Sequence, residues 1–343
     1  MKPGSLSHGS STAWGKALRR PAALQPHLPH VRTPPTPRRA HCPPIRCGQV
    51  PKTPFEGFVA RPPNSELHLG NAWSLAHACE LSYLTQDEVR SIAEGRWGLK
   101  GLLCYGYGDN DGPDTQCFAA AGPDFIVVAF RGTTSITDWV RDLKVWKLPD
   151  GPLGCEAHAG FLEGVQGKWK GRSIIDSVLQ GVRDLERQYG KEEGLAIYVT
   201  GHSLGGALAT LAAAYMLEDP ELRDKVAGHY TFGSPRVAGP RFKKRFEALA
   251  PAGRALAHRF QNREDVVSKV PAWWRAYDHV GRWWYLAGDD QVLMRNPDLW
   301  TRLRDIIDID WDFQPDFVYD HQLRAEGTGG YIDGIEKNIV RSA

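Results

Sequence analysis

The chain has 343 residues, 42% of them apolar and 24% charged, a composition that excludes a disordered, fibrous or coiled-coil protein. At ~150 residues per domain the length suggests two domains, although one large α/β domain also fits and would bury a core without disulfide staples. The net charge of +2 is unevenly placed: residues 1–50 hold eight of the 42 basic side chains and none of the 40 acidic ones. The remainder therefore stands at −6 and offers no basic field for nucleic acid.

The first segment, residues 1–55, reads as a disordered, Pro/Arg-rich arm. Nine prolines fall within residues 1–50, and runs such as Pro34-Pro35-Thr36-Pro37 remove backbone donors and oppose helix in the preceding residue. Ala22–Leu24 is too short for the apolar core of a Sec signal. An Arg-rich, acid-free arm also fits a transit peptide, but its prolines spoil an amphipathic helix; a start site assigned too far upstream gives the same composition. No window reads as a transmembrane span, so location stays open with the cytoplasm favoured. The six cysteines are scattered, without a C-x-x-C pair or a zinc spacing, and are expected as buried thiols with no metal site.

In the body, residues 56–343, the spacing of Ala72, Leu75, Ala76, Cys79 and Tyr83 predicts a helix over Asn71–Tyr83. Phe125–Phe130 is a wholly apolar, β-branched run, expected of a strand covered on both faces. Ser173–Tyr189 returns to helical period. Leu195–Val199 is a second buried strand, and Ala207–Leu217 a helix of small and apolar residues. Tyr230–Phe232, Leu256–Phe260 and Arg282–Ala287 read as further strands. Strands alternating with helices predict one α/β domain, a predominantly parallel sheet with helices on both faces.

The strongest motif is Gly201-His202-Ser203-Leu204-Gly205-Gly206, set between a predicted strand and a predicted helix. In that context G-x-S-x-G is a nucleophile elbow, a tight strand-to-helix turn that presents a serine beside the positive end of the helix dipole. The competing reading is a glycine-rich turn whose serine only caps the helix. His202 adjoins the nucleophile in sequence but is turned away by the elbow, and is expected as a packed, hydrogen-bonded histidine.

A second segment leaves the Phe125–Phe130 strand as Arg131-Gly132-Thr133-Thr134-Ser135, and further pieces follow at Ala157–Phe161, Thr231–Val237, Asn262–Pro271 and Tyr277–Gly281. Together with the elbow, these resemble the class 3 lipases, the fungal-type triacylglycerol lipase family of the α/β-hydrolase superfamily, over about residues 70–340. The resemblance implies that Thr133 and Leu204 supply the oxyanion hole through their backbone N–H groups. It also implies that Ser135–Leu143 is a short helical lid. Ile136, Trp139, Val140 and Leu143 fall on one helical stripe that would face the site or, transiently, a lipid surface. A helix packed permanently on the core has the same pattern.

In this fold the acid follows the nucleophile and the base follows the acid. Asp265 matches the family's N-x-x-D-x-V pattern, with Glu264 as the neighbouring competitor. His321 stands in the right order for the base, and His279 is the alternative. Relatives commonly carry a tyrosine within one helical turn of this histidine; here the next is Tyr331, ten residues on, which implies an inserted loop. Half of the 12 tryptophans lie in residues 273–311, either as ordinary core or as an aromatic rim. The expectation is a cofactor-independent, lipase-like hydrolase of carboxylic esters, acting on a lipid or small ester through an acyl-enzyme on Ser203. The rivals are an acyltransferase or phospholipase with the same triad, and a non-catalytic interaction protein on the same scaffold.

Overall fold

Eight segments rich in apolar or β-branched residues pair into one sheet in the computed structural model. The structure describes residues 50–62, 67–106, 115–136, 146–250, 256–272, 276–298, 300, 320–325 and 329–342. The strands are β1 (Lys100–Tyr105), β2 (Cys117–Ala121), β3 (Phe125–Phe130), β4 (Ala196–His202), β5 (Val226–Phe232), β6 (Ala257–Asn262), β7 (Arg282–Ala287) and β8 (Val292–Arg295). They lie in the sheet in chain order. The run from β3 to β7 is parallel, and the outer pairings β1–β2, β2–β3 and β7–β8 are antiparallel. The predominantly parallel sheet expected from the sequence is therefore present, with antiparallel additions at both edges.

Both faces are covered, as the double burial of β3 and β4 requires. Ile126, Val128, Ile197 and Val199 point to a core shared with α3 (Ala159–Gln166), α4 (Ile174–Tyr189), α5 (Leu204–Glu218) and α6 (Pro240–Ala248). Phe125, Val127, Ala129 and Tyr198 alternate onto the opposite core, with α1 (Leu69–Leu81), α2 (Gln86–Ala93) and α7 (Tyr331–Arg341). The small residues of α5 let it lie against the sheet, and all but three of its fifteen residues are buried. Among the described residues no helix is long and apolar enough to cross a membrane.

Residues 50–62 form a strap over the second core. Phe55 is buried, and the Phe55 and Phe58 rings lie 5.3 and 4.3 Å from Phe125. Asn71, fully buried in α1, accepts the Val59 N–H and donates to the Val59 carbonyl, while Tyr198 donates to the Ala60 carbonyl at 3.0 Å. The strap begins before the domain start expected at residue 56. Phe55→Ala removes a ring from this aromatic stack and is expected to cost about 3 kcal/mol of stability. A lower urea midpoint with Ser203 reactivity retained is the result expected.

Candidate active site

The serine is presented by a sharp turn between β4 and α5. Ser203 adopts φ 58° and ψ −133°, a conformation that costs a non-glycine residue free energy and is held by its surroundings. Its N–H donates to the Phe232 carbonyl at 3.0 Å, and its carbonyl accepts the Gly206 N–H at 2.9 Å. Gly201 explains the motif: a Cβ there would stand 2.1 Å from the Gly205 carbonyl oxygen. Ser203 is fully buried, and its hydroxyl makes no hydrogen bond among the described residues.

Asp265, the acid expected from the sequence, sits on the turn that follows β6. Asp265 is fully buried, and its Oδ1 accepts the Val267 N–H at 2.9 Å. His321 Nδ1 lies 2.9 Å from both carboxylate oxygens, and the Tyr331 hydroxyl donates to Oδ2. Burial pushes the Asp265 carboxyl up, but the His321 ring and the hydrogen bonds from His321 and Tyr331 outweigh it and hold the group below its ordinary value. An ionised Asp265 fixes the His321 proton on Nδ1 and leaves Nε2 as the acceptor. That nitrogen is also buried without a hydrogen bond among the described residues.

Gly233, just past β5, closes the space behind this pair. With φ +58°, a Cβ here would lie 2.6 Å from Asp265 Oδ2 and 2.8 Å from His321 Nδ1. Gly233→Ala should therefore displace the imidazole and lower kcat by about 100-fold, as an ångström-scale misplacement does. The check is ester hydrolysis by a variant whose circular dichroism matches wild type.

The competing assignments separate by their bonds. Glu264 pairs with Lys269 at 2.8 Å and does not reach His321. His279 Nε2–H donates to the Ser268 carbonyl at 2.7 Å, and burial with Arg259 and Arg236 nearby holds it well below the ordinary histidine value. His202 packs under the elbow as expected, its ring centroid 4.6 Å from that of His321. Its Nε2–H donates to the His321 carbonyl at 2.6 Å, and its Nδ1 accepts from the Tyr83 hydroxyl at 2.9 Å. Burial, with His321 adjacent, pushes His202 down to about 3, so it is neutral.

Gly132 runs beside the elbow: a Cβ built on it would be 3.0 Å from Ser203 Cβ and 2.7 Å from the His202 carbonyl oxygen. Thr133 is thus the next residue after the nucleophile's neighbour, half-buried, and its hydroxyl accepts the Ser135 N–H at 3.3 Å. Leu204 is the first residue of α5, where backbone N–H groups lack partners within the helix. Of the four lid positions, Ile136 is half-buried, and Trp139, Val140 and Leu143 lie outside the described residues. Trp283 and Trp284 are buried and Trp300 is 76% exposed; Trp273, Trp274 and Trp311 fall outside the described residues.

Tyr331, Gly233 and Tyr83 were not legible as site residues. Tyr331 stands ten residues past His321 in the chain. Its N–H donates to the Gln322 carbonyl at 3.1 Å, and that of Ile332 to the Leu323 carbonyl at 2.8 Å. These bonds bring the tyrosine beside the histidine, where its hydroxyl reaches Asp265.

A parallel sheet with a strand–serine–helix elbow, followed in order by an acid and a histidine on later loops, defines an α/β-hydrolase. The family model for the class 3 lipases, "Lipase (class 3)", matches residues 127–274. Over those residues the chain is similar to the class 3 lipases. It is 37% identical over 181 residues to the chloroplastic phospholipase A1-Igamma1 of Arabidopsis thaliana, covering 47% of this chain and 34% of that protein. It is also 36% identical over 173 residues to phospholipase A1-II 6 of Oryza sativa subsp. japonica, covering 45% and 42%. The chain thus spans about a third to two fifths of the length of these curated relatives. The solved Rhizomucor miehei triacylglyceride lipase shares the fold at a TM-score of 0.52 and 23% identity, covering 65% of this chain and 82% of that one. Lipase II from Rhizopus niveus does so at 0.54 and 21%, covering 67% and 84%. The chloroplast named for the Arabidopsis relative differs from the cytoplasm favoured by the sequence.

Proposed function

We propose that this chain is a serine hydrolase of lipid acyl esters, with Ser203 as nucleophile, His321 as base and Asp265 as its partner. The observation that carries the reading is the fully buried Asp265–His321 pair, joined at 2.9 Å and reached in the right chain order after a serine held at φ 58°. In acylation, His321 Nε2 takes the Ser203 proton as Oγ attacks the ester carbonyl, and the Thr133 and Leu204 N–H groups stabilise the oxyanion. The C–O bond to the alcohol breaks as His321 returns the proton to the leaving alkoxide. In deacylation, water loses a proton to His321 and attacks the acyl-enzyme, releasing the fatty acid and free Ser203. The reaction needs no cofactor.

Ile136, Trp139, Val140 and Leu143 belong to a lid that meets the lipid surface. Trp146, just past that segment, is 53% exposed, which supports an apolar contact there. The substrate favoured is a phospholipid, because the relatives above 30% identity carry the name phospholipase A1. The purified chain is tested on phosphatidylcholine vesicles labelled separately at sn-1 and sn-2, beside emulsified triacylglycerol. Serine-dependent release of the sn-1 chain is expected. Release only from triacylglycerol would overturn the phospholipid assignment. No hydrolysis of either lipid or of p-nitrophenyl esters would leave a non-catalytic scaffold.

A further inference from the structure

The two loops that carry Asp265 and His321 are tied together one residue away from the pair itself. Asp320, immediately before His321, is buried. Its carbonyl accepts from Asn262 Nδ2 at 2.9 Å, its Oδ2 accepts the Glu264 N–H at 3.2 Å, and its Oδ1 lies 3.1 Å from Arg263 Nε. The three residues before Asp265 therefore contact one residue of the histidine loop, Asn262 and Glu264 by hydrogen bonds and Arg263 by an ion pair. Arg263 holds φ 40° in this turn, and its N–H donates to the Leu286 carbonyl at 3.1 Å, so the acid turn is fastened to β7 as well. On its other side the histidine turn is held by the His202 ring, which donates to the His321 carbonyl, and by the Tyr331 N–H, which donates to the Gln322 carbonyl.

We infer that Asp320 is a positioning residue for catalysis: its carboxylate clamps the acid turn to the base turn and fixes the Asp265–His321 hydrogen bond. The inference rests on the triad proposed above. Hydrogen bonds one shell out from a working group orient it and commonly decide its efficiency.

The charge on Asp320 has a folding cost. Burial pushes its carboxyl up to about 6, against the opposing pull of Arg263 and the Glu264 N–H, with Asp265 and Glu264 adding repulsion. Tyr331 and His321 complete the groups around it, and Arg263 is shared with the exposed Asp289 at 3.3 Å. The folded-state value lies above the ordinary carboxyl value, so the native state binds the extra proton between about pH 4 and 6. Stability from this group is present below that window and falls as pH rises through it. At neutral pH the chain therefore keeps an ionised carboxylate that does not favour folding, as expected of a group retained for function.

Asp320→Asn keeps an acceptor for the Glu264 N–H but removes the negative charge that faces Arg263, and Asp320→Ala removes both. With p-nitrophenyl butyrate, the alanine variant is expected to lose about 10–100-fold in kcat with KM within about twofold, and the asparagine variant to fall between it and wild type. On the acid side, kcat/KM of wild type should carry a fall from protonation of Asp320 near pH 6. In Asp320→Asn that fall should be absent, while its Tm at pH 8 is not lower than that of wild type. Unchanged kcat in the alanine variant would overturn the inference. So would a rate loss that only tracks a lower Tm and recovers on cooling. If wild type hydrolyses no ester, the triad reading fails. The clamp is then judged by the low-field His321 Nδ1 proton resonance, which it predicts to be lost in Asp320→Ala and retained in wild type.

Discussion

Ser203→Ala is expected to lower kcat on p-nitrophenyl esters by about 10⁶-fold, with KM changed little. The alanine has no atom to form the acyl-enzyme, so only binding and the oxyanion donors remain to act on a water. The Ser203 hydroxyl makes no hydrogen bond among the described residues, so its removal leaves no buried partner unpaired. The variant should therefore unfold at the same denaturant concentration as wild type. A steady-state rate close to wild type at equal folded concentration would remove Ser203 from the mechanism.

The second large effect is expected at the acid. Asp265→Asn should lower kcat by about 10⁴-fold, the scale known when the carboxylate of a Ser-His-Asp triad is neutralised. An asparagine amide facing His321 Nδ1 donates where the carboxylate accepted. The imidazole then carries its proton on Nε2, facing the nucleophile, and has no lone pair for it. Asp265 is held below its ordinary value in the folded state, so its ionised form supports folding above that value. This contribution is lost as pH falls from about 4 through the depressed folded value. The acid limb of the stability curve should therefore flatten in Asp265→Asn. An undiminished rate at pH 8 would show that another group orients His321.

What the sequence revealed follows burial. The central strands were legible because β3 and β4 are covered on both faces and read as unbroken apolar runs. Their neighbours β1 and β2 were not: Lys100–Tyr105 contains a glycine and is only partly buried, and Cys117–Ala121 is mostly alanine, a poor strand signal. The elbow carries its own glycines, and motif and chain order single out Asp265 and His321 as candidates. Tyr331 and Gly233 are hidden because their contacts depend on tertiary closure. Tyr331 reaches Asp265 through bonds that pair Tyr331 and Ile332 with Gln322 and Leu323, and Gly233 matters for the volume that it leaves empty beside the imidazole. No motif marks Asp320 in the sequence. Its meaning lies in two hydrogen bonds and an ion pair to a turn more than fifty residues earlier.

The central claim is that Ser203 is the nucleophile activated by His321. Treating the chain with a fluorophosphonate and mapping the adduct by peptide mass spectrometry tests it most directly. One stoichiometric adduct on Ser203 is expected, formed about 10⁴-fold more slowly in His321→Ala and at the wild-type rate in His279→Ala. An adduct on a different residue, or equal labelling in His321→Ala, would contradict it.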